Sequence, residues 1–396
     1  MLNTKFSTWP SFTQEEGDAI KATLLSNKVN YWTGIECREF EKEFAKFSDC
    51  RYAIAVANGT VALDLALKAL HIGQGDEVIV TSRTFLASVS SIVLAGATPV
   101  FADVDRESQN ITDESILKVI SKKTKAILCV HLAGWPCDMD SILKLSMHHN
   151  LYVIEDCAQA HGATYKGKSV GSFGDIAAWS FCQDKIMTTG GEGGMVTTNN
   201  HGYWSTMWSY KDHGKSWESV YEKKHTGHFR WVHDYFGTNW RMMEIQAVIG
   251  RIQLKKMSEW TQKRNENANK IWEVAKKQPW LRAPNIPPDI RHAAYKCYVF
   301  IKPDQLPVEW TRDRIIDEVC NEGVPCLQGS CSEVYLEKAF ETTSFCPENR
   351  LPNAKELGET SLMFLIHPTL TEDEINKTCQ AIEKVGAKIF RLVSIR

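Results

Sequence analysis

Short hydrophobic runs alternate with longer stretches of helical character between residues 52 and 198. The runs are rich in Val, Ile and Ala and are bounded by turns that contain Gly or Pro, which is typical of buried strands in a mostly parallel sheet. The predicted strands are 52–57, 77–81, 99–102, 126–131, 151–155, 175–181 and 194–198, and the predicted helices are 61–70, 86–94 and 141–148. The pattern therefore predicts an α/β core.

The second half of the chain has a different pattern. Residues 202–235 mix Trp with Lys and Arg, and we expect irregular surface structure there. One or two long helices are predicted at 243–277, followed by a proline-rich break, a strand at 295–301 and helices at 312–321 and 372–390. We therefore predict an N-terminal arm at 1–30, a large domain at 31–258 and a smaller C-terminal α/β domain at 259–396.

Composition supports a globular protein with two cores. The 396 residues are 43% hydrophobic and 24% charged, which is close to the average for such proteins. The formal net charge of -2 gives no basic field for a nucleic acid. No signal sequence or long apolar span is recognisable, so we expect a cytoplasmic protein without a membrane partner.

Twelve cysteines are scattered along the chain without a Cys-x-x-Cys pair. Several lie in apolar runs, where a thiol behaves as a small buried hydrophobic group. We therefore expect no metal site. Cys320, Cys326 and Cys331 form the one group close enough in sequence to be considered for a metal.

Two acidic residues, Glu155 and Asp156, end the strand predicted at 151–155. In an open α/β sheet, ligands bind beyond the carboxyl ends of the strands, so one of these acids is expected to face a site. A carboxylate there can hold a protonated pyridine nitrogen, and each pKa unit by which it raises that nitrogen corresponds to about 1.4 kcal/mol. The alternative is an acidic cap of a following helix.

Lys185 lies in a turn between the strand at 175–181 and the glycines 190, 191, 193 and 194. A lysine in such a turn is accessible to a ligand and held on a rigid frame, which suits a Schiff-base lysine that also moves protons. The alternative is an ordinary solvated lysine on a surface loop.

The turn Asn58, Gly59 and Thr60 joins the first strand to the first helix of the core. Free backbone N–H groups and the positive end of the helix meet there, and the hydroxyl of Thr60 or Ser180 can add a donor, so the turn suits a phosphate. Any strand-to-helix turn can carry such residues. The glycine run at 190–194 precedes a strand and is therefore not a dinucleotide fingerprint.

Several motifs together resemble the DegT/DnrJ/EryC1/StrS family of sugar aminotransferases, which depend on pyridoxal 5'-phosphate (PLP) and have fold type I. They are Ala-Asn-Gly-Thr at 57–60, Gly-Asp-Glu-Val at 75–78, Thr-Phe at 84–85, Glu-Asp-Cys-Ala-Gln-Ala-His-Gly-Ala at 155–163, Gly-Ser-Phe-Gly-Asp at 171–175, Ser-Phe followed by Lys at 180–185, and Gly-Thr-Asn-Trp-Arg-Met at 237–242. The resemblance covers most of the chain. It implies a large domain with a mixed, mostly parallel sheet flanked by helices.

The resemblance also implies roles for individual residues. Lys185 would be joined to the cofactor, and Asp156 would pair with its pyridine nitrogen. The other implied contacts are those of Gly59, Thr60 and Ser180 with the phosphate, Gln159 with the ring hydroxyl, Phe85 with the ring face and, from a neighbouring subunit, Asn239 with the phosphate. A homodimer with shared sites would therefore be the smallest active unit.

The expected reaction transfers an amino group from L-glutamate to a nucleotide-linked keto-sugar. Because the family that the sequence resembles acts most often at C4, we expect a 4-keto sugar linked to UDP or dTDP. Its purpose would be the synthesis of amino sugars for surface polysaccharides. A sugar dehydratase and a non-catalytic sensor are the alternatives, although dehydratases of this family have a histidine where Lys185 stands.

The remaining polar features have two interpretations each. Gln328 and Ser330 stand where many members of that family have a basic or histidine-bearing segment, and they either contact the sugar or nucleotide or belong to an ordinary loop. His131 and His161 either belong to the site, which they lie near in sequence, or are hydrogen-bonded core residues, and we expect the latter. The segment 202–235 either touches the nucleotide or contributes dimer contacts or solvated surface.

Overall fold

A seven-stranded sheet is the centre of the molecule, for which a computed structural model describes residues 6–224, 227 and 229–391. The strands are β1 Tyr52–Val56, β2 Glu77–Thr81, β3 Thr98–Ala102, β4 Thr124–Val130, β5 Tyr152–Asp156, β6 Thr164–Tyr165, β7 Lys168–Ser169, β8 Ile176–Ser180, β9 Gly194–Thr198, β10 Leu281–Arg282, β11 Ile290–Arg291, β12 Cys297–Ile301, β13 Cys326–Leu327 and β14 Ser361–Phe364. The helices are α1 Gln14–Leu25, α2 Glu36–Phe47, α3 Gly59–Ala69, α4 Ala87–Leu94, α5 Asp113–Leu117, α6 Met139–His149, α7 His201–Tyr210, α8 Glu244–Lys276, α9 Arg312–Asn321, α10 Pro352–Thr360 and α11 Glu372–Arg391.

The strand order in the central sheet is β1-β9-β8-β5-β4-β2-β3. β3, β2, β4, β5 and β8 are parallel to one another, whereas β9 runs antiparallel to both β8 and β1. Every residue of β8 and β9 is buried, as expected for strands covered on both faces. The predicted α/β fold with a mixed, mostly parallel sheet is confirmed.

A second, antiparallel sheet follows in the C-terminal part, in the order β10-β12-β14-β13. It has its own hydrophobic cluster with α8, α9 and α11. The predicted domain boundary at residue 258 falls inside α8, a single helix of 33 residues, so the division of the chain into domains stays a prediction. Within the described part of the chain, no helix combines the length and the apolar character that a membrane span requires.

The prediction of irregular structure for 202–235 was wrong at its beginning. Residues His201–Tyr210 form the helix α7, and Trp208 is buried at its inner face. The side chain of Asn200 caps this helix by accepting hydrogen bonds from the N–H groups of Gly202 and Tyr203. A second short helical turn, with π-type hydrogen bonding, covers Glu218–Glu222. The aromatic residues of α7 therefore belong to the core.

Candidate active site

A cleft of about 560 Å³ opens at the carboxyl ends of β1, β5 and β8. These ends meet at one edge because β8 is parallel to β5, and β1 has the same direction across the intervening β9. Seven of the eight predicted site residues line this cleft, namely Gly59, Thr60, Phe85, Asp156, Gln159, Ser180 and Lys185. Residues more than a hundred positions apart in sequence are thus brought to one place.

The start of α3 forms one wall of the cleft. The side chain of Asn58 accepts a hydrogen bond from the N–H of Val61 at 3.0 Å, so the two preceding N–H groups of the helix need another partner. A Cβ atom at Gly59 would lie 2.6 Å from the Cβ of Ser180 and 3.0 Å from its Oγ. Glycine is therefore required for the helix start to approach the Ser180 hydroxyl, and the two together form a cradle for an anion.

Gly194 permits the same approach from the neighbouring strand. It pairs with Val56 on one side and with Ser180 on the other. A Cβ atom at Gly194 would lie 2.4 Å from the carbonyl oxygen of Asn58 and 2.9 Å from the backbone nitrogen of Gly59. Gly194, the last glycine of the 190–194 run, therefore allows the turn at Asn58 and Gly59 to pass close to the beginning of β9.

Asp156 is the acid that faces the cleft. Its carboxylate is buried and accepts hydrogen bonds from the hydroxyl of Ser88 at 2.8 Å and from the N–H of Ala158 at 3.0 Å. Burial nevertheless raises the pKa of Asp156 above its usual value, and these two donors oppose that effect. A cationic partner in the cleft would favour the ionised form, as a protonated pyridine nitrogen does.

The hydrogen-bond network of Asp156 includes two residues that sequence reasoning did not single out for this role. The hydroxyl of Ser88 lies 2.8 Å from that of Thr84, and both side chains are buried. Thr84 belongs to the Thr-Phe motif at 84–85, and Ser88 follows it by one helical turn. That spacing is the signal from which the network could have been found.

Gln159 has a fixed amide orientation. Its Oε1 accepts a hydrogen bond from the N–H of Ala133 at 2.9 Å, and Ala133 has a positive φ of 56° in the tight turn Leu132–Gly134. Because the oxygen is engaged, the Nε2 group is the donor that remains for a ligand. A ring hydroxyl or its anion is a suitable acceptor for that donor.

Lys185 lies on a well-anchored turn. The N–H of Gln183 bonds to the carbonyl oxygen of Gly191, and the carbonyl oxygen of Lys185 accepts a bond from the indole of Trp9 at 2.7 Å. The Lys185 side chain is 17% exposed, and its Nζ lies 3.9 Å from an oxygen of Asp184 and 5.2 Å from the centre of the Tyr295 ring. The amine is therefore accessible from the cleft and constrained in position.

Glu155 points to the opposite side of β5 and has a structural environment. Its oxygens accept bonds from His131 and from the N–H groups of Gly171, Phe173 and Gly174. Burial alone would raise the pKa of Glu155, but the bonds from His131 and the loop hold that pKa below its usual value. The Gly-Ser-Phe-Gly-Asp motif is thus fixed by Glu155, and His131 is a hydrogen-bonded core residue as expected.

Potential metal ligands are grouped at one place in the described ranges of the chain. Ligand atoms of His131, Glu155 and Cys157 lie within 4.8 Å of one another, and all three residues are buried. The hydrogen bonds of Glu155 account for both of its oxygens, so this group forms part of the packed core. Cys320, Cys326 and Cys331 do not form such a group there.

Three residues singled out in the sequence lie outside the cleft of their own chain. The backbone of Asn239 pairs with Asp212, and its predicted role in a neighbouring subunit stays a prediction. The Gln328 amide donates to Asp313 at 3.4 Å, and the N–H of Ser330 donates to the hydroxyl of Tyr298 at 2.7 Å. Their contact with a substrate also stays a prediction.

The cleft therefore offers an anion cradle, a buried carboxylate, an amide donor and an amine. These groups match the phosphate, the pyridine nitrogen, the ring hydroxyl and the aldehyde of PLP, respectively. The glycine-dependent cradle between Gly59 and Ser180 is the most specific element of this match, because a side chain at that position would fill it. The residues present fit the cofactor that the sequence resemblance implies.

Comparison with known proteins gives the same result over nearly the whole length. The sequence model of the DegT/DnrJ/EryC1/StrS aminotransferase family matches residues 10–383. The chain is 35% identical to GDP-perosamine synthase of Escherichia coli O157:H7, covering 95% of this chain and 96% of the relative. It is 34% identical to dTDP-3-amino-3,6-dideoxy-alpha-D-galactopyranose transaminase of Aneurinibacillus thermoaerophilus, covering 90% and 92%. The crystal structure of an aminotransferase from Psychrobacter cryohalolentis has a TM-score of 0.96 and 65% identity, covering 97% of this chain and 100% of that one.

Proposed function

The chain belongs to the DegT/DnrJ/EryC1/StrS aminotransferase family and is a PLP-dependent transaminase, and we propose that it transfers an amino group from L-glutamate to a nucleotide-linked keto-sugar. The observation that carries the assignment of the site is the meeting of Lys185, buried Asp156 and the Gly59–Ser180 cradle in one cleft. The names of the relatives, which denote nucleotide-linked amino sugars, support the substrate class.

Asp156 and the cradle have the task of holding and polarising the cofactor. When bound, PLP supplies an electron sink for the electron pair that remains on a substrate carbon after loss of a proton. Asp156 favours a protonated ring nitrogen because its own ionised form then has a cationic partner. The N–H groups at Gly59 and Thr60, with the Ser180 hydroxyl, hold the phosphate at the positive end of α3.

Lys185 has the task of covalent attachment and of proton transfer. Its amine would be displaced by the amine of the donor and would then be free to take the proton from the α-carbon of the donor and to deliver it to the former aldehyde carbon of the cofactor. The position of Nζ between Asp184 and the Tyr295 ring keeps the amine within the cleft during both steps. Phe85, which is 69% exposed at the cleft, provides an aromatic face for the cofactor ring.

We expect the acceptor to be a 4-keto sugar on UDP or dTDP. The names of the two relatives carry GDP and dTDP, so a test panel includes GDP-, dTDP- and UDP-linked keto-sugars. Incubation of the holoprotein and L-glutamate with this panel is expected to produce 2-oxoglutarate in an amount equal to that of the amino sugar. A dehydratase would consume the sugar without producing 2-oxoglutarate, and a sensor would leave both unchanged.

A second copy of the chain completes the proposed enzyme. Four large side chains between 229 and 236, namely Phe229, Trp231, Tyr235 and Phe236, are at least 71% exposed. Such a concentration of exposed apolar surface marks an interface, whereas single exposed hydrophobic residues do not. Asn239 follows this segment closely and lies outside the cleft of its own chain, as a residue that serves the neighbouring site would.

We also place the protein in the cytoplasm. All twelve cysteines are free thiols, and Cys331 and Cys346 are exposed. A reducing compartment keeps exposed thiols in that state.

A further inference from the structure

A second cavity of about 310 Å³ adjoins the Lys185 turn. Its walls come from residues 6–9 of the N-terminal arm, from Asp184, from α8 and from the ends of β12 and β14. Asp184 also lines the cleft of Lys185, so the two cavities share a wall. The charged side chains in the second cavity are mainly basic.

Arg264 is the most deeply buried of these basic residues. Its side chain extends from α8, the residue is 1% exposed, and its guanidinium carbon lies 4.9 Å from the centre of the Trp9 ring. Nη1 makes a long bond of 3.5 Å to the carbonyl oxygen of Tyr295, whereas Nε and Nη2 have no partner in the described structure. Burial lowers the pKa of Arg264 to about 9. A buried guanidinium with two unpartnered nitrogens is suited to binding an anion.

Lys296 provides a second cation in the same cavity. Its Nζ lies 4.7 Å from the centre of the Tyr295 ring, and burial lowers the pKa of Lys296 to about 8, with Asp184 opposing and Arg264 contributing to the effect. His367 also lines the cavity, and burial lowers its pKa to about 3, so it is neutral near pH 7.

The acidic groups near this cavity are engaged elsewhere. Asp184 accepts a hydrogen bond from the Tyr295 hydroxyl and lies 3.9 Å from the Lys185 amine. Glu374 accepts bonds from the backbone and side chain of Ser7 and from Thr371. The cavity therefore combines Arg264 and Lys296 with no carboxylate bound directly to either of them among the described residues.

The cavity is also close to the reacting centre. The Nζ atoms of Lys185 and Lys296 lie 5.2 Å and 4.7 Å from the centre of the same Tyr295 ring. Both amines thus lie near one aromatic ring, and Asp184 lines both cavities, so a ligand with one end at the Lys185 amine could extend its other, anionic end toward Lys296 and Arg264. An amino acid has this combination, because its amine and its carboxylates are joined by a short carbon chain.

We propose that Arg264 and Lys296 form a carboxylate subsite that receives the amino-acid donor next to Lys185. The inference rests on the proposed function and specifies how the donor is recognised. The unused Nε and Nη2 groups of Arg264 lie on one edge of the guanidinium and can bind both oxygens of a carboxylate, while Lys296 adds a point charge. The occupied subsite removes the cost of a buried arginine without a partner.

The test uses the first half of the reaction, without any sugar. The holoproteins of the wild type, Arg264→Gln and Lys296→Gln are mixed with L-glutamate, and conversion of the bound cofactor is followed by its visible absorbance. We expect the glutamate concentration for half-maximal rate to rise about tenfold or more in each variant, with a smaller change in the limiting rate. Arg264→Lys, which keeps the charge, is expected to recover part of the loss.

Glutarate provides a second readout without turnover. It carries two carboxylates and no amine, so calorimetric titration of the holoprotein measures binding alone. The wild type is expected to bind glutarate. In both glutamine variants the dissociation constant for glutarate is expected to be at least about tenfold higher. Arg251→Gln is the matched control, because Arg251 lies on the same helix but pairs with Glu36 and Glu43. The partly exposed Lys296 serves as the second test position if Arg264→Gln does not fold.

Unchanged glutamate and glutarate binding in folded Arg264→Gln and Lys296→Gln holoproteins would overturn the subsite. A loss confined to the sugar half of the reaction would overturn its assignment to the donor. Alanine as donor distinguishes which carboxylate is held: loss with both donors supports the α-carboxylate, and loss with glutamate alone supports the side-chain carboxylate. If the wild type accepts the donor but transfers to no nucleotide sugar, the proposed function fails and the subsite stands.

Discussion

The hydroxyl of Ser88 donates a hydrogen bond to Oδ2 of Asp156 over 2.8 Å and connects α4 to the end of β5. The Ala158 N–H bonds to the other oxygen at 3.0 Å, and the hydroxyl of Thr84 lies 2.8 Å from that of Ser88. These donors fix the direction of the carboxylate and favour its ionised form against the effect of burial. We therefore expect Ser88 to be a positioning residue for the cofactor.

Replacement of Ser88 by alanine is expected to weaken cofactor binding. A hydrogen bond to a charged group contributes about 1.5–3 kcal/mol, so the dissociation constant of PLP should rise about tenfold or more. Equilibrium dialysis or fluorescence titration of the apoprotein measures this constant. Ser90→Ala is the matched control on the same helix, because Ser90 donates to the carbonyl oxygen of Ala87 and not to Asp156. Equal affinity in the wild type and Ser88→Ala would contradict the positioning role.

The raised pKa of Asp156 predicts a pH dependence of the free energy of unfolding that the cofactor reduces. In the apoprotein, Asp156 of the folded state keeps its proton at pH values at which the unfolded chain releases it. The contribution of Asp156 to the free energy of unfolding is therefore fully present below about pH 4 and is lost as pH rises through the raised pKa. The free energy of unfolding of the wild type should therefore fall relative to that of Asp156→Asn over this range. In the holoprotein, a protonated ring nitrogen keeps Asp156 ionised, and the fall should be smaller.

Denaturant unfolding of both proteins at a series of pH values checks this prediction, with and without PLP. The comparison with Asp156→Asn removes the contributions of the other titrating groups that the two proteins share. The prediction is contradicted if, in the apo form, the free energy of unfolding of the wild type rises with pH relative to that of Asp156→Asn.

The close contact between Gly59 and Ser180 in the anion cradle predicts that a methyl group added at position 59 strongly weakens PLP binding. A Cβ atom at Gly59 would lie 2.6 Å from that of Ser180, so Gly59→Ala should displace the start of α3 and weaken PLP binding at least about tenfold. The visible absorbance of the purified protein, titrated with PLP, reports this change. Gly17→Ala is a suitable control, because nothing lies within 4 Å of a Cβ atom there and the helix α1 should tolerate or favour alanine.

Shared sites predict complementation between two inactive variants. Lys185→Ala lacks the amine, and Asn239→Ala is expected to lose most activity through the phosphate of the neighbouring site. In a mixed dimer, one of the two sites contains both native residues, so unfolding and refolding of the two variants together should restore up to about a quarter of wild-type activity. Mixtures that stay at the level of the separate variants, although light scattering shows dimers, would indicate that each site belongs to one chain.

Much of the fold was predictable because the strands of the central sheet are short runs of mostly apolar residues bounded by turns. The predicted strands 77–81 and 194–198 coincide with β2 and β9, and the others differ by one or two residues at their ends. The helix α7 was missed because its sequence has aromatic and small residues without a clear apolar stripe. The cap residue Asn200 was the local signal for its start, whereas the burial of Trp208 depends on contacts with Tyr31 and Trp32, which lie far away in sequence.

The site was predictable only as far as motifs and strand ends indicate it. Lys185 and Asp156 follow strands, and the structure places both in the cleft. The roles of Ala133 and Arg264 depend on distant contacts: Ala133 orients Gln159 from a tight turn, and Arg264 reaches the second cavity from the middle of α8. No local pattern distinguishes Arg264 from the other cations of that helix.

The most direct test of the central claim follows the amino nitrogen itself. The holoprotein is incubated with L-glutamate carrying isotopically heavy nitrogen and with each nucleotide keto-sugar of the panel, and the nucleotide sugars are analysed by mass spectrometry, with Lys185→Ala as control. We expect one or more of the sugars to gain the heavy nitrogen, in an amount equal to the 2-oxoglutarate formed, with the wild type only. If glutamate converts the bound cofactor but no sugar of any nucleotide gains the label, the proposed function is wrong.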